Sequence, residues 1–141
     1  FPRRDREIAY AALEEVELGS KASRRADTLS GGEQQRVGIA RMIAQAPRLV
    51  LADEPVSNLD PELADEILEL IVAAASRLGT TLLVTLHVPE QAQSYSERVL
   101  GMRRGRLVCD CFSSQLSVER LRRIYGRSEL LLPARDVVSK N

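Results

Sequence analysis

Tryptophan is absent from this 141-residue chain, and only two phenylalanines and three tyrosines are present. A surface on which nucleic-acid bases stack would need more aromatic rings. Twenty basic residues balance twenty acidic ones, so no net field draws the chain to nucleic acid or to an anionic membrane. No apolar run approaches the ~20 residues that cross a bilayer, and the opening FPRRDREIAY lacks the apolar centre of a signal peptide. A cytoplasmic setting is therefore expected. The two cysteines, Cys109 and Cys111, are one residue apart, too close for a useful disulfide and without enough neighbouring His or Cys to complete a metal site. They are expected to be ordinary reduced strand cysteines.

What is present is a chain with 44% hydrophobic residues and no low-complexity tract, the make-up of one globular domain. Ile8, Ala12, Leu13 and Val16 recur at helical spacing, which predicts a helix over 6–18 closed by Gly19 and Ser20. A second helix is expected over 32–45, with Val37, Ile39, Ala40, Met42 and Ile43 available for burial and Pro47 as its stop. Leu49-Val50-Leu51-Ala52 reads as a buried strand. Asp60 as N-cap, Pro61 in the first turn and Gly79 as terminator bound a helix over 61–78. Residues 80–86 read as a second buried strand, 98–102 and 106–111 as a hairpin around Arg104-Gly105, 117–125 as a helix and 126–141 as a weakly specified tail. Helix, strand, helix, strand implies a mostly parallel sheet covered by helices, an α/β fold. Ligands of such sheets sit at the carboxyl ends of the strands, where Asp53, Glu54 and His87 fall.

Ser30, Gly31 and Gly32 can present backbone N–H groups at the start of a helix whose dipole favours an anion such as phosphate. On its own the Ser-Gly-Gly run also reads as a cap followed by flexible glycines. Asp53 can serve Mg²⁺, and Glu54 can orient or deprotonate a water; alone, the pair reads equally as a capping or solvated loop feature. His87, the sole histidine, can donate to a transferring phosphoryl group, with a structural role as the simpler reading. Arg103, Arg104, Arg106, Arg120, Arg122 and Arg123 read as solvated faces and carry no assigned role.

The order of these marks is more specific than any one of them. LSGGEQQ, LVLADEP, SNLD, TLLVTL and His87 stand in a sequence that resembles the ATPase subunits of ATP-binding cassette (ABC) systems, over Leu29 to about Asp110. The resemblance implies a P-loop NTPase fold and assigns residues to roles. Ser30, Gly31 and Gly32 would grip the γ-phosphate of an ATP held by an opposing subunit. Asp53 would be the Walker B aspartate serving Mg²⁺, directly or through water, and Glu54 the carboxylate activating water. Ser57, Asn58, Leu59 and Asp60 would form the loop communicating between two sites, and His87 the switch histidine.

The family's phosphate loop, G-x-x-x-x-G-K-[ST], does not occur in these 141 residues. The expectation is therefore the C-terminal part of such a subunit: 1–28 ending its helical subdomain, 29–110 running from signature to switch region, and 111–141 forming a C-terminal helix and tail. Alone, the chain is expected to be inactive. The run RVLGMRRGRLVCDCFSSQLSVERLRRIYG resembles phosphonate importer subunits, with Cys111 standing where the family has glycine. The implied partners are a second ATPase subunit, as a homodimer, and transmembrane permease subunits. Membrane association would be indirect, at the inner face, without direct nucleic-acid contact. Two alternatives are a non-transport ABC ATPase of DNA repair or chromosome organisation, and a truncated, non-catalytic pairing module. A strand ending at Asp53 without its phosphate-loop neighbour leaves an open apolar edge, and self-association is expected from it.

Overall fold

The computed structural model describes residues 2–126. Contacts divide the chain into two compact units, Phe1–Val88 and Pro89–Asn141.

The first unit opens with helix α1, Arg3–Glu15, earlier at both ends than its apolar spacing predicts. Glu17 rather than Gly19 ends it. Glu17 takes a left-handed φ of 62°, and the N–H groups of Glu17 and Leu18 return to the carbonyls of Glu14 and Leu13 at 3.0 and 2.8 Å. This is the paired bonding of a Schellman cap, here without glycine. Short 3-10 turns at Gly19–Lys21 and Ala26–Thr28 lead to α2, Gly31–Gln45. Ala46, again left-handed, closes α2 before Pro47. Ile39, Ala40 and Met42 of the expected stripe are buried, and Val37 and Ile43 are half-buried.

Strand β1, Leu49–Ala52, pairs in parallel with β2, Thr81–Val84, and α3, Pro61–Leu78, connects them. Asp60 caps α3 by accepting from the Leu63 N–H at 3.0 Å, with Pro61 in the first turn and Gly79 at a φ of 63° beyond the end. Strand β2 is shorter than expected. Thr80 leaves the ladder because its hydroxyl donates to the Pro47 carbonyl at 2.6 Å and its N–H to the Ala75 carbonyl. At the other end, the Thr85 N–H still reaches the Ala52 carbonyl, but His87 lies beyond the strand rather than at its last position.

Ile67 and Leu68 of α3 and Val16 are the most deeply buried large side chains, α2 and α3 pack together, and Ile39 and Ala40 of α2 and Ala64 of α3 are buried. Arg36 of α2 lies 3.2 Å from Glu66 of α3. One face of the sheet lacks such cover. Leu49, Leu51 and Leu83 are exposed, and among the described residues no further strand pairs with β1 or β2. Parallel strands are ordinarily covered on both faces.

In the second unit, α4 (Pro89–Tyr95) precedes an antiparallel hairpin of β3 (Arg98–Arg103) and β4 (Arg106–Phe112). Arg104 and Gly105 both have positive φ, as a two-residue hairpin turn that follows strand twist requires. A 3-10 turn at Ser113–Gln115 leads to α5, Val118–Tyr125, capped by Ser117. Cys109, Cys111, Leu116 and Leu121 form this unit's core, with Val99, Ile124 and Tyr125 against it. The expected tail lies outside the described residues except for Gly126. Among the described residues no helix is long and apolar enough to cross a membrane.

Candidate functional site

Strand β1 ends by handing the chain to Asp53 and Glu54, and the residue just after β2 supplies the group that fixes them. The Thr85 hydroxyl donates to Asp53 Oδ1 at 2.8 Å and accepts from the Glu54 N–H at 2.7 Å. One side chain thereby holds an acidic side chain and the backbone of its neighbour. Glu54 has a left-handed φ of 46°, uncommon for a residue with a Cβ. Its side chain meets the sole histidine: His87 Nε2 stands 2.7 Å from Glu54 Oε1. The two side chains are 70% and 46% exposed, so the contact is open to a ligand rather than sealed in a core.

The segment after Glu54 turns on that same residue. The Ser57 N–H and hydroxyl both donate to the Glu54 carbonyl, at 3.3 and 3.2 Å. Buried Val56 anchors the turn, the Leu59 N–H reaches the Val56 carbonyl, and Asp60 begins α3. Ser57, Asn58, Leu59 and Asp60 thus form a short bridge between the acidic pair and the helix behind it.

Ser30, Gly31 and Gly32 form a separate feature at the start of α2. Ser30 Oγ accepts from the Glu33 N–H at 3.3 Å, while Glu33 Oε2 accepts from the Ser30 N–H at 2.9 Å, a reciprocal capping box. Lys21 pairs with the other Glu33 oxygen, Oε1. Lys21 first, and the Ser30 N–H second, hold the Glu33 carboxyl below the usual carboxylate range. With its own capping contact made as an acceptor, the Ser30 hydroxyl retains its proton for another acceptor.

The two glycines differ. An added Cβ at Gly31 would meet nothing within 4 Å, whereas one at Gly32 would meet Leu63 Cδ2 at 2.9 Å. Gly32 lies close against the Leu63 side chain of α3, which would have to shift to admit a Cβ, whereas Gly31 is open.

The structure therefore brings Asp53, Glu54 and His87 together, adds Thr85 to them, and sets Ser30–Gly32 on another element. Lys21, Glu33 and Thr85 were missed by sequence reasoning. A signal existed for Glu33 in the Ser-x-x-Glu spacing from Ser30. None existed for Thr85 or Lys21, whose partners lie 31 or 32 and 12 residues away.

Asp53 suits a hard cation. Magnesium takes one or two protein carboxylates and completes its shell with water and phosphate oxygen, and one Asp53 oxygen is committed to Thr85. Among the described residues no group of three or more His, Cys, Asp or Glu could hold a metal unaided.

Residues 3–57 match the family described as ABC transporter. The chain is 48% identical over 127 residues to the phosphonates import ATP-binding protein PhnC of Thiobacillus denitrificans, covering 90% of this chain and 49% of that protein. It is 44% identical over 134 residues to the phosphite import ATP-binding protein PxtA of Stutzerimonas stutzeri, covering 95% and 49%. The chain thus spans about half the length of these relatives. Among solved structures, a metal-chelate type ABC transporter in an inward-facing conformation superposes with a TM-score of 0.79 at 31% identity, over 89% of this chain and 50% of that one.

Proposed function

Since this chain belongs to the ABC transporter ATPase family, we propose that it works within an ATP-hydrolysing subunit that powers import of a phosphorus oxyanion, phosphonate first. The observation that carries the reading is the Asp53, Glu54, Thr85 and His87 constellation at the ends of two parallel strands. The similarity to phosphonate and phosphite import proteins supports the cargo class. It does not favour a DNA-repair ATPase or a pairing module without catalysis.

In this reading, Glu54 takes a proton from the water that attacks the γ-phosphorus of ATP in line, and ADP leaves from the opposite side. Thr85 keeps the Asp53 carboxylate and the Glu54 backbone in place, so that the reacting geometry is set before the nucleotide arrives. His87 Nε2 exchanges its contact with Glu54 for the γ-phosphate as the site fills. Asp53 would hold Mg²⁺, which supplies charge neutralisation on the phosphate oxygens when bound. Ser30 and the open face of Gly31 grip a nucleotide anchored on a second subunit, and Ser57–Asp60 couples the two sites. The nucleotide's anchoring loop, G-x-x-x-x-G-K-[ST], is not among these 141 residues. The chain by itself is therefore expected not to turn ATP over.

We assign 1–28 to the end of a helical subdomain, 29–110 to the signature-to-switch core and 111–141 to a C-terminal helix and tail. These are roles along the chain, whereas packing divides it after Val88. The partners in this reading are a second ATPase subunit, forming a homodimer, and transmembrane permease subunits at the cytoplasmic face. Glu54→Gln keeps the side-chain shape and removes the base. ATP-dependent subunit assembly should persist and turnover should fall by orders of magnitude; unchanged turnover in the assembled enzyme would refute the assignment.

A further inference from the structure

The start of α2 faces two demands of opposite sign. The grip proposed for Ser30 and Gly31 must receive a phosphate, yet the same helix start already carries an anion. Glu33 Oε2 accepts from the Ser30 N–H at 2.9 Å, so a carboxylate occupies one of the donors found there. For the fold this is favourable, because an acid in the first turn meets the positive end of the helix. For an incoming phosphate it is unfavourable, because like charges repel.

Lys21 meets both demands. Its Nζ pairs with Glu33 Oε1, the oxygen not used by the cap. Lys21 stands 12 residues before Glu33, and its own backbone sets its place: the Lys21 N–H donates to the carbonyl of buried Leu18 at 2.9 Å. The paired side chains are 34% and 24% exposed, partly shielded from the water and salt that weaken ion pairs at the surface. Arg36, three residues along α2 from Glu33, is a neighbour by helical spacing. Its guanidinium is turned instead to Glu66 at 3.2 Å and Glu17 at 3.7 Å.

We propose that Lys21 is a positioning residue of the phosphate grip: by pairing with the Glu33 carboxylate it cancels the charge that would meet an incoming γ-phosphate, and it leaves the Ser30 cap in place. This rests on the reading of Ser30–Gly32 as the grip on an opposing subunit's nucleotide. Lys21 acts through Glu33 and need not touch the nucleotide.

The test is the ATP concentration at half-assembly, read by light scattering of the chain mixed with a complete subunit bearing an intact phosphate loop. Lys21→Met should raise it by about tenfold, the order expected of one uncompensated like charge at a partly shielded site. Glutamine also serves in a capping box, so Glu33→Gln keeps the cap without the charge. Added to Lys21→Met, it should reverse most of the rise; a role in the cap or in packing alone predicts no relief. Melting curves by circular dichroism establish that each variant is folded. If Lys21→Met is not, Lys21→Gln, neutral and still able to donate to Glu33, takes its place. An unchanged ATP requirement in the Lys21 variant, or a rise that Glu33→Gln does not relieve, overturns the proposal. Ser30→Ala separates the two readings. Impaired assembly in that variant keeps the grip standing even where Lys21 fails its test, whereas native assembly removes the grip and the proposal with it.

Discussion

Gly31→Ala separates the fold from the function because the two should move in opposite directions. Gly31 is the first residue of α2, its φ is not positive, and an added Cβ has open space around it. Replacing glycine with alanine at a compatible position restricts the unfolded chain and stabilises by roughly 0.4–1 kcal/mol. A helix start should give the lower part of that range. For a chain of this size the melting temperature should rise by about 1–4 °C. If a phosphate of an opposing subunit's nucleotide approaches this face, the same methyl group occupies the approach. Losing one hydrogen bond to a charged group costs about 1.5–3 kcal/mol, which is roughly 10- to 150-fold in the ATP concentration needed for assembly. Thermal denaturation by circular dichroism reads the first effect. Light scattering of the chain mixed with a subunit bearing an intact phosphate loop, across an ATP series, reads the second. A stabilised variant that assembles at the same ATP concentration as the native chain would refute the placement of phosphate at Gly31.

Thr85→Val removes the hydroxyl that joins Asp53 to the Glu54 N–H while keeping the side-chain shape. In the assembled enzyme, turnover should fall about tenfold or more, as expected from losing one or two hydrogen bonds to a charged site, with ATP-dependent assembly retained; native turnover would remove Thr85 from the site. Leu51→Lys places a charge on the bare sheet face, where Leu51 is 69% exposed and paired with Leu83. Sedimentation should show concentration-dependent association of the native chain and less of it in the variant, whereas a native chain that stays monomeric at high concentration would contradict the exposed-face account. The Glu33 carboxyl is held low by Lys21, so its contribution to stability is present above the ordinary carboxylate value of about 4.3 and is lost as pH falls through the lower folded value. Lys21→Met should therefore lower the melting temperature at neutral pH and converge with the native chain in acid. A difference that persists unchanged at low pH would show that Lys21 acts through packing alone.

Local chemistry made much of this structure legible in the sequence. Asp60, Pro61 and Gly79 bracket α3, Leu49–Ala52 is β1, and Arg104-Gly105 turns the hairpin. Helix α2 stops at Gln45, as Pro47 predicts, but the end of α1 was not legible in the same way, nor was the backbone conformation that closes either helix. Glu17 and Ala46 take left-handed backbone conformations normally left to glycine, and only the surrounding packing and hydrogen bonds hold them there. Of the site, Asp53, Glu54 and His87 were legible from their places after apolar strands. Their mutual contact was not, because it depends on how β1 and β2 align in register. Thr85 follows from the same alignment: it directly follows Val84, which pairs with Ala52, and so faces Asp53 and Glu54. Gly32 was read as a glycine of a proposed phosphate-binding run, whereas its close contact with Leu63 is a packing feature that local sequence does not show.

The most direct test of the central claim is ATP hydrolysis by this chain alone and after mixing with a full-length cassette subunit. That subunit should carry an intact phosphate loop and a disabled signature serine. Activity that appears only in the mixture, and disappears again with Ser30→Ala, is the expected result: Ser30–Gly32 then completes a site whose nucleotide is held by another polypeptide. Mixtures that associate yet remain inactive would contradict that claim.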